Sequence, residues 1–433
     1  MQIPCLKLGW TYRSTASTQN VSPLRVIVQR ISATPGQSVR HAASLAAVGS
    51  YASFVTFGEP AISRLTPARP AVHVAFEVGP LLTPRTGIGA AVAMMQASID
   101  QRCDVLLGPY ACSFRGQLPA DVTRLPLPAA FAHRLWSRWP QPRMDRWFGD
   151  AQVVHGTNYV VPPSRLPRVV SVYDCWFLRH PELASPTVVR AGRVLTQAVR
   201  QGAWIHASSQ ATAMAVRELL HTERVEVIPL AALPTSPHSA ANMSLSALTG
   251  SPFVLAIGTL ERRKNFTTLI AAFASLAGSQ AELHLVLAGS DGDNREQIDV
   301  AIGGLDASVR SRVVLVGRVS DEQKHWLLRN AIVLAYPSLD EGFGFPLLEA
   351  MQHRLPIVAS TAGSIPEVGG AAAVLVEATD AAALADGLIR VLEDSALRQQ
   401  LIGNGQTQLA RFSWDVTAEK LANLYHRLQQ EGS

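Results

Sequence analysis

Short apolar runs alternate with helix-like segments along most of the chain, and no other feature limits the fold as strongly. The first series begins with the run Ala71–Val78, which is followed by the turn TGIG and a helical stretch, Ala90–Ile99. Five further runs follow along the chain: Asp104–Tyr110, Ala151–Asn158, Arg168–Asp174, Ala203–Ser209 and Arg224–Ala231. Continuous apolar strands separated by helices are typical of a parallel sheet that is covered on both faces.

A second series of the same kind starts at Phe253 and contains the runs FVLAIGTL, LHLVLAGS, RVVLVGRV, IVLAYPS, PIVAS and AAVLVE. The stretch between the two series is rich in Ser, Ala and Pro, as linkers are. The sequence therefore predicts an α/β protein with two doubly wound, Rossmann-like domains. Such sheets bind ligands beyond the carboxyl ends of their strands, so we expect the site in the cleft between the domains.

The predicted domain boundaries follow from these two series and from a length of 433 residues, which suits two or three domains. We expect a basic, disordered extension (1–70), a first domain (71–235), a linker (236–251), a second domain (252–411) and a C-terminal helix that returns to the first domain (412–433).

The net charge of +5 is concentrated at one end of the chain. Residues 1–70 carry seven Lys and Arg against the single acid Glu59, a balance of +6, which leaves −1 for the remaining 363 residues. A nearly neutral body does not favour nucleic-acid binding. The basic stretch is either a disordered extension of the protein or sequence upstream of its natural start.

Cysteine usage and hydropathy bear on the cellular compartment. The four cysteines form no CxxC pair and have no histidine at metal-ligand spacing, so we expect reduced thiols and no metal site. No apolar run reaches the ~18–20 residues of a membrane-spanning helix, and the N-terminus makes a poor signal peptide. The sequence predicts a cytoplasmic protein.

The most specific motif is DEGFGFPLLEAM, residues 340–351, where a strand turns into a helix. Gly342 and Gly344 let the backbone approach a ligand closely, and the free amides at the start of a helix bind anions. Glu341 lies in the loop, and Glu349 lies about one turn into the helix. Because a carboxylate can accept both hydroxyls of a vicinal diol, this pair suits a polyol and a second hydroxyl-bearing group further along.

A second loop carries cations beyond a strand end. In GTLERRKNFTTLI, Arg262, Arg263 and Lys264 follow the strand that ends at Ile257 and precede a helix that is capped near Asn265. The whole chain contains only four lysines, which makes one lysine in this loop notable. Cations at such a position can neutralise the charge that develops on an anionic leaving group.

The spacing Glu341-x7-Glu349 within EGFGFPLLEAM resembles the signature of family 4 of the retaining GT-B glycosyltransferases. The resemblance covers roughly residues 72–427 and is strongest from 253 to 376. It implies that a hexose moves from a nucleotide sugar to a glycan or lipid-linked acceptor, without a metal or another cofactor. The co-substrate would be a GDP- or UDP-hexose, with GDP-mannose as the first candidate.

In this family the first glutamate lies by the donor sugar, the second binds the ribose, and an Arg/Lys pair holds the diphosphate. These roles fall on Glu341, Glu349, Arg263 and Lys264, and Arg262 is an alternative to Arg263. The resemblance also implies substrate contacts from the two loops and from a segment that reads the base: Gly258, Arg318, Val319, Gly342, Phe343, Gly344 and Phe345.

The first domain matches the family more sparsely. PRTGIGAA resembles the family's glycine loop near the phosphates and the acceptor, with Gly87 and Gly89 as candidates, although a plain strand-to-helix turn is an equal alternative. It is not a dinucleotide fingerprint, because GxGxxG is incomplete.

One departure from the family lies at the end of a first-domain strand. Many members have His-Asp there, whereas this chain has Tyr173-Asp174, and tyrosine is a poor base at neutral pH because its ordinary pKa is about 10. Asp174 is predicted to be a catalytic residue, and Tyr173 and Asn158 are predicted to bind substrate. His155 or His180 could lie where the family's histidine does.

Residues 121–148 interleave arginines and tryptophans: Arg124, Arg134, Arg138, Arg143 and Arg146 with Trp136, Trp139 and Trp147. On an amphipathic helix this composition suits a membrane surface or a lipid-linked acceptor. The segment either packs its tryptophans inward as an ordinary surface helix or contacts the inner face of the membrane peripherally, and the sequence leaves both open.

Two other functions are compatible with such a sequence. A GT-B epimerase or phosphorylase is the enzymatic alternative, but a phosphorylase needs a late cofactor-binding lysine, and Lys420 is badly placed for it. A degenerate GT-B module that binds a nucleotide or a carbohydrate without transfer is the non-enzymatic alternative, and Tyr173 is its only hint.

Overall fold

The computed structural model describes residues 70–82, 86–112, 118–235, 245 and 248–432. The extension predicted for residues 1–70 lies outside these ranges except for its last residue, and so does most of the predicted linker. Within them, no helix combines the length and apolar character needed to cross a membrane.

The first sheet is parallel and follows the first series of apolar runs. Its strands lie in the order β3-β2-β1-β4-β5-β6-β7. The direction of the strand order reverses between β1 and β4, so a crevice opens beyond their carboxyl ends. In chain order the strands are β1 (Val72–Glu77), β2 (Val105–Ala111), β3 (Thr123–Arg124), β4 (Val153–Gly156), β5 (Arg168–Val172), β6 (Trp204–Ala207) and β7 (Val225–Val227).

Hydroxyl caps determine where several helices of the first domain begin. Thr86, Ser185 and Ser209 each accept a hydrogen bond from the backbone amide three residues later. The cap at Thr86 makes the first helix begin at Gly87, three residues before the predicted start at Ala90. The helices are α1 (Gly87–Ile99), α2 (Ala129–Trp136), α3 (Trp176–Arg179), α4 (Pro186–Arg200) and α5 (Gln210–Leu220).

The second sheet is also parallel, and its strands lie in the order β10-β9-β8-β11-β12-β13. The strand order reverses between β8 and β11, which places the loop with the cations beside the loop with the glutamate. The strands are β8 (Phe253–Ile257), β9 (His284–Ala288), β10 (Val313–Gly317), β11 (Val333–Tyr336), β12 (Ile357–Ser360) and β13 (Ala373–Val376).

The helices of the second half cover both faces of this sheet and end with a long C-terminal helix. They are α6 (Phe266–Leu276), α7 (Arg295–Gly303), α8 (Ala307–Arg310), α9 (Asp321–Asn330), α10 (Phe345–Gln352), α11 (Ile365–Gly369), α12 (Ala381–Glu393), α13 (Ser395–Leu409) and α14 (Trp414–Glu431). The last of them, α14, packs against α1, β1 and β4 of the first sheet. At its start the Trp414 indole donates to the Ala232 carbonyl at 2.8 Å.

A buried chain of hydrogen bonds ties α14 to three strands of the first sheet. The chain begins at Tyr425, whose Oη lies 2.6 Å from His155 Nδ1. Ser171 Oγ then links the two histidines, at 2.8 Å from His155 Nε2 and 2.9 Å from His206 Nδ1. The chain ends where His206 Nε2 lies 2.9 Å from the Ile228 carbonyl. A carbonyl can only accept, so a neutral His206 carries its proton on Nε2. Each link then has one donor and one acceptor, and Tyr425 donates at the other end.

Candidate active site

A cleft of about 670 Å³ lies between the two sheets and takes side chains from both. Its walls include most of the residues predicted from the sequence: Gly87, Tyr173, Asp174, Gly258, Arg263, Lys264, Arg318, Val319, Glu341, Gly342, Phe343, Gly344, Phe345 and Glu349. The topology explains the convergence, because the loops after β8 and β11 meet where the strand order reverses.

Glu341 is the centre of a buried charge cluster. One carboxylate oxygen lies 2.5 Å from Lys264 Nζ, and the other lies 2.8 Å from Arg263 Nη1. Burial alone would raise the pKa of Glu341, but the two cations overcome it and hold the pKa at about 2. Glu341 is therefore a carboxylate at any physiological pH. A second carboxylate, that of Glu261, lies 3.6 Å from the other terminal nitrogen of Arg263.

Lys264 reaches the glutamate from a loop that folds tightly around it. Arg262–Lys264 form a short 3-10 turn, and only 8% of Lys264 is exposed. Its ammonium also donates to Tyr336 Oη at 3.2 Å. Burial lowers the pKa of Lys264, and the charge of Glu341 partly offsets that effect.

The neighbouring arginines of this loop separate into two roles. Arg263 donates to the Asp340 backbone carbonyl as well as to the Glu341 carboxylate. Burial opposes its charge, but Glu341 and the nearby Asp174 raise the pKa of Arg263. Arg262 is exposed, and its backbone amide bonds to Asp293. Arg263 lines the cleft and Arg262 does not, so Arg262 is not the arginine of this site.

Glu349 lies further along the cleft, in the second turn of α10, and is only 3% exposed. Its carboxylate lies 2.6 Å from Lys324 Nζ on α9. Beside this ion pair, His325 Nδ1 and His353 Nε2 are 2.8 Å apart. Sequence analysis missed Lys324 and His325, which both line the cleft, and the scarcity of lysines was the one signal that could have indicated Lys324.

Gly344 and Gly342 shape the loop in different ways. Gly344 adopts φ +90°, a conformation that favours glycine, immediately before α10 begins. Gly342 instead lies against the first domain, where a Cβ atom would come within 1.4 Å of the Tyr173 carbonyl oxygen. Gly344 therefore turns the chain into the helix, and Gly342 permits close contact between the domains.

Tyr173 lines the cleft, but its hydroxyl is already hydrogen-bonded within the first domain. The hydroxyl donates to the Thr157 carbonyl at 2.7 Å, and burial raises the pKa of Tyr173. Asp174 lines the cleft too, and one of its oxygens accepts from the Trp176 amide at the start of α3. Tyr173 therefore offers a substrate no free hydroxyl, whereas Asp174 combines a capping role with a place in the cleft.

Four candidates of the first domain lie away from the cleft. Gly89 faces the Pro80 carbonyl, where a Cβ atom would sit 3.0 Å from the oxygen, so its role is close packing. Asn158 does not line the cleft either. His155 is fully buried in the hydrogen-bond chain, and His180 stacks on Trp176 at 4.1 Å between ring centroids.

The Arg- and Trp-rich segment is divided between inward and outward packing. Trp136 is 2% exposed and donates to the Pro142 carbonyl, whereas Trp139 is 59% exposed. Trp147 is half-buried beneath the Arg146 guanidinium, 3.8 Å from its ring centroid. Inward packing therefore accounts for two tryptophans and leaves the third on the surface.

No group of three or more His, Cys, Asp or Glu side chains comes together as a metal-ion site within the described part of the chain. Two of the carboxylates that line the cleft, Glu341 and Glu349, are buried and paired with cations, and a helix begins beside them. This arrangement can bind an anion at one end and hydroxyl groups at both.

Two parallel α/β sheets that face such a cleft define the GT-B class of fold. Residues 243–408 match the family described as glycosyl transferases group 1. Sucrose-phosphate synthase from Thermosynechococcus elongatus superposes with a TM-score of 0.63 at 19% identity, over 83% of this chain and 100% of that one. The predicted fold class is thereby confirmed for the two domains.

Two relatives bear on the family. O-antigen chain mannosyltransferase B of Escherichia coli is 27% identical over 386 residues, which cover 82% of this chain and all of the relative. Phosphatidyl-myo-inositol mannosyltransferase of Mycobacterium leprae is 32% identical over 176 residues, or 40% of this chain and 46% of the relative.

The family match and the mannosyltransferase relatives support a family 4-like GT-B glycosyltransferase. They indicate a hexosyltransferase that uses a nucleotide-sugar donor, in line with the sequence motifs.

Proposed function

We propose that this enzyme transfers mannose from GDP-mannose to a glycan or lipid-linked acceptor, with retention of the anomeric configuration. The observation that carries the donor site is the Glu341 carboxylate, held between Lys264 and Arg263 in the wall of the cleft. The names of the two relatives support mannose as the sugar. Neither the described residues nor these relatives favour a module without transfer activity.

The two cations of the cluster, Arg263 and Lys264, suit the diphosphate of the donor. As the bond between the sugar and the diphosphate breaks, negative charge develops on the leaving oxygen, and Arg263 and Lys264 stabilise it. Lys264 is buried, Arg263 keeps only 15% of its side chain exposed, and Glu341 fixes both, so little reorganisation accompanies the reaction. Glu341 itself can accept hydroxyls of the sugar, since its low pKa keeps it ionised.

The second carboxylate suits the ribose. Glu349 can accept both ribose hydroxyls, and Lys324 holds its carboxylate in place. The backbone amides at Phe343–Phe345 lie at the start of α10, where the positive end of the helix dipole favours anionic or oxygen-rich groups. The acceptor would enter from the first domain, whose α1 forms the opposite wall.

A donor panel with matched variants tests this function. We expect GDP-mannose to raise the melting temperature and to be turned over, while UDP-glucose and UDP-galactose do neither. Glu341→Gln should lower kcat about 100-fold or more and still bind GDP, whereas the exposed Glu282→Gln serves as the control. Proton NMR of the first product formed gives the anomeric configuration. Turnover of UDP-sugars alone would overturn the donor assignment, and full activity of Glu341→Gln would overturn its role.

We further propose that α2 and α4 form a surface that contacts an anionic membrane. The two helices pack side by side and expose Arg134 and Arg193, and the turn after α2 exposes Arg138. Phe131 and Trp139 are 50% and 59% exposed beside these cations. The sequence contains no Asp or Glu in 122–144 or 183–217, so this surface lacks acids of its own.

Vesicle binding tests the membrane proposal. The protein should sediment with phosphatidylglycerol vesicles and not with phosphatidylcholine vesicles, and high salt should release it. Arg134→Gln/Arg138→Gln should weaken binding about 10- to 30-fold. The control, Arg295→Gln/Arg427→Gln, removes the same charge from two exposed ion pairs elsewhere. Equal loss in both double variants would show that net charge alone acts, and would contradict the proposed surface.

A further inference from the structure

The loop that carries Glu341 touches the first domain at one point of very close approach. Gly342 lies so near the segment Tyr173–Asp174 that a Cβ atom would come within 1.4 Å of one carbonyl oxygen and 2.9 Å of the Asp174 Cα. Two backbone carbonyls, of Tyr173 and Gly342, therefore approach each other across the boundary between the domains. Buried carbonyls need donors, since an unsatisfied buried acceptor is costly.

Two hydroxyls of the first domain supply these donors. Ser208 Oγ lies 3.1 Å from the Tyr173 carbonyl and 3.0 Å from the Gly342 carbonyl. Thr212 Oγ1 lies 3.2 Å and 3.1 Å from the same two oxygens. Ser208 is fully buried and Thr212 is 3% exposed. Two protons thus serve two acceptors, and each hydroxyl bridges the domains.

Ser208 lies just before the cap of α5, and Thr212 lies in the first turn of that helix. Ser209 caps the helix by accepting from the Thr212 amide, and its hydroxyl donates to Thr212 Oγ1 at 3.1 Å. This leaves the proton of Thr212 available for the carbonyls. Neither Ser208 nor Thr212 lines the cleft, so neither touches a substrate bound there.

We propose that Ser208 and Thr212 are positioning residues, which latch the Glu341 loop onto the first domain and stabilise the closed cleft. The inference rests on the proposed role of Glu341 in sugar transfer. If the domains separate, each hydroxyl keeps its hydrogen bond to the Tyr173 carbonyl, which belongs to the same domain, and loses its hydrogen bond to the Gly342 carbonyl. The bond to Gly342 therefore favours the closed arrangement specifically, and its removal shifts the population towards an open one.

Thr212→Val removes one hydroxyl at nearly constant volume and tests the latch. We expect kcat to fall about three- to tenfold, while the Kd of GDP alone, measured by calorimetry, changes less than twofold. Thr212→Ser should restore kcat. The control is Thr196→Val, because Thr196 also donates its hydroxyl to a carbonyl, that of Gly192 within α4. A merely structural role would lower the melting temperature and nucleotide affinity together with kcat.

A double-variant cycle makes the test sharper. Gly342→Ala forces the two carbonyls apart, so it should already abolish the latch, and adding Thr212→Val should lower kcat no further. Additive losses, or a loss in Thr212→Val no larger than in Thr196→Val, would overturn the proposal. Solution X-ray scattering gives a readout without turnover, since the open population should increase the radius of gyration of Thr212→Val. A wrong donor assignment is therefore distinguishable from a wrong latch.

Discussion

At the scale of single residues, the Glu341 cluster depends on a glycine that makes room for a lysine. Gly258 has φ +156°, and a Cβ atom there would lie 3.0–3.3 Å from three carbons of the Lys264 side chain. Gly258→Ala should push Lys264 away from Glu341 and lower kcat/KM about tenfold or more, because a buried cation of the diphosphate site is displaced. Steady-state kinetics with the preferred donor measures this.

The matched control for that substitution is Gly278→Ala, since no atom lies within 4 Å of the corresponding Cβ position. Equal kinetics of the two alanine variants would show that Lys264 does not depend on the glycine.

Motif spacing predicted which loops carry the chemistry, but it could not decide between adjacent residues. Arg262 and Arg263 are equivalent as letters, and only the 3-10 turn directs one into the cleft and the other to solvent. Likewise, the sequence does not tell where the hydroxyl of Tyr173 points, because its direction is set by a hydrogen bond to the Thr157 carbonyl in a neighbouring segment. Side-chain direction follows from tertiary contacts, which local patterns do not contain.

At the scale of elements, α9 and α10 are joined by two side-chain bridges. Lys324 and His325 are adjacent on α9, and they contact Glu349 and His353, which lie one helical turn apart. His353→Ala should loosen this arrangement and raise the KM of the donor about three- to tenfold with little change in kcat, because the ribose contact persists from ground state to transition state.

A histidine variant elsewhere in the second domain, His284→Ala, controls for the substitution itself, since its ring bonds only to the nearby Glu282 carbonyl. If His353→Ala lowers kcat and leaves KM unchanged, the bridges do not act on donor binding. Glu349→Gln, measured in parallel, reports whether the ribose assignment holds.

The order of elements followed from the alternation of apolar runs, while their exact limits did not. All the predicted strands of both series are present, because buried parallel strands require continuous apolar residues. The start of α1 differs because the Thr86 hydroxyl caps it early. The two-residue strand β3, Thr123–Arg124, escaped prediction because so short a segment has no periodicity.

At the scale of the whole molecule, buried titratable groups make stability depend on pH. Burial lowers the pKa of His155, and it lowers the pKa of His206 from 6.5 to about 4. Burial has the opposite consequence for Glu77, whose pKa rises from 4.5 to about 7. Acidification therefore lowers the free energy of unfolding through the two histidines and raises it through Glu77. Because two groups oppose one, the net effect of these three groups below pH 6.5 is destabilising.

The contribution of His206 to the pH dependence of the free energy of unfolding can be measured separately. Between pH 6.5 and about 4 the unfolded chain binds a proton at this residue and the folded chain does not, so its stabilising effect is complete above 6.5 and is lost on acidification at about 1.4 kcal/mol per pH unit. His206→Asn removes the titration, so the destabilisation it causes should be about 2 kcal/mol smaller at pH 5 than at pH 7.5. Urea unfolding of His206→Asn and of the unsubstituted protein at the two pH values measures this difference. His284→Asn is the control for a histidine outside the buried chain. A His206→Asn effect that is the same at both pH values would mean that the pKa of His206 does not differ between the folded and the unfolded chain.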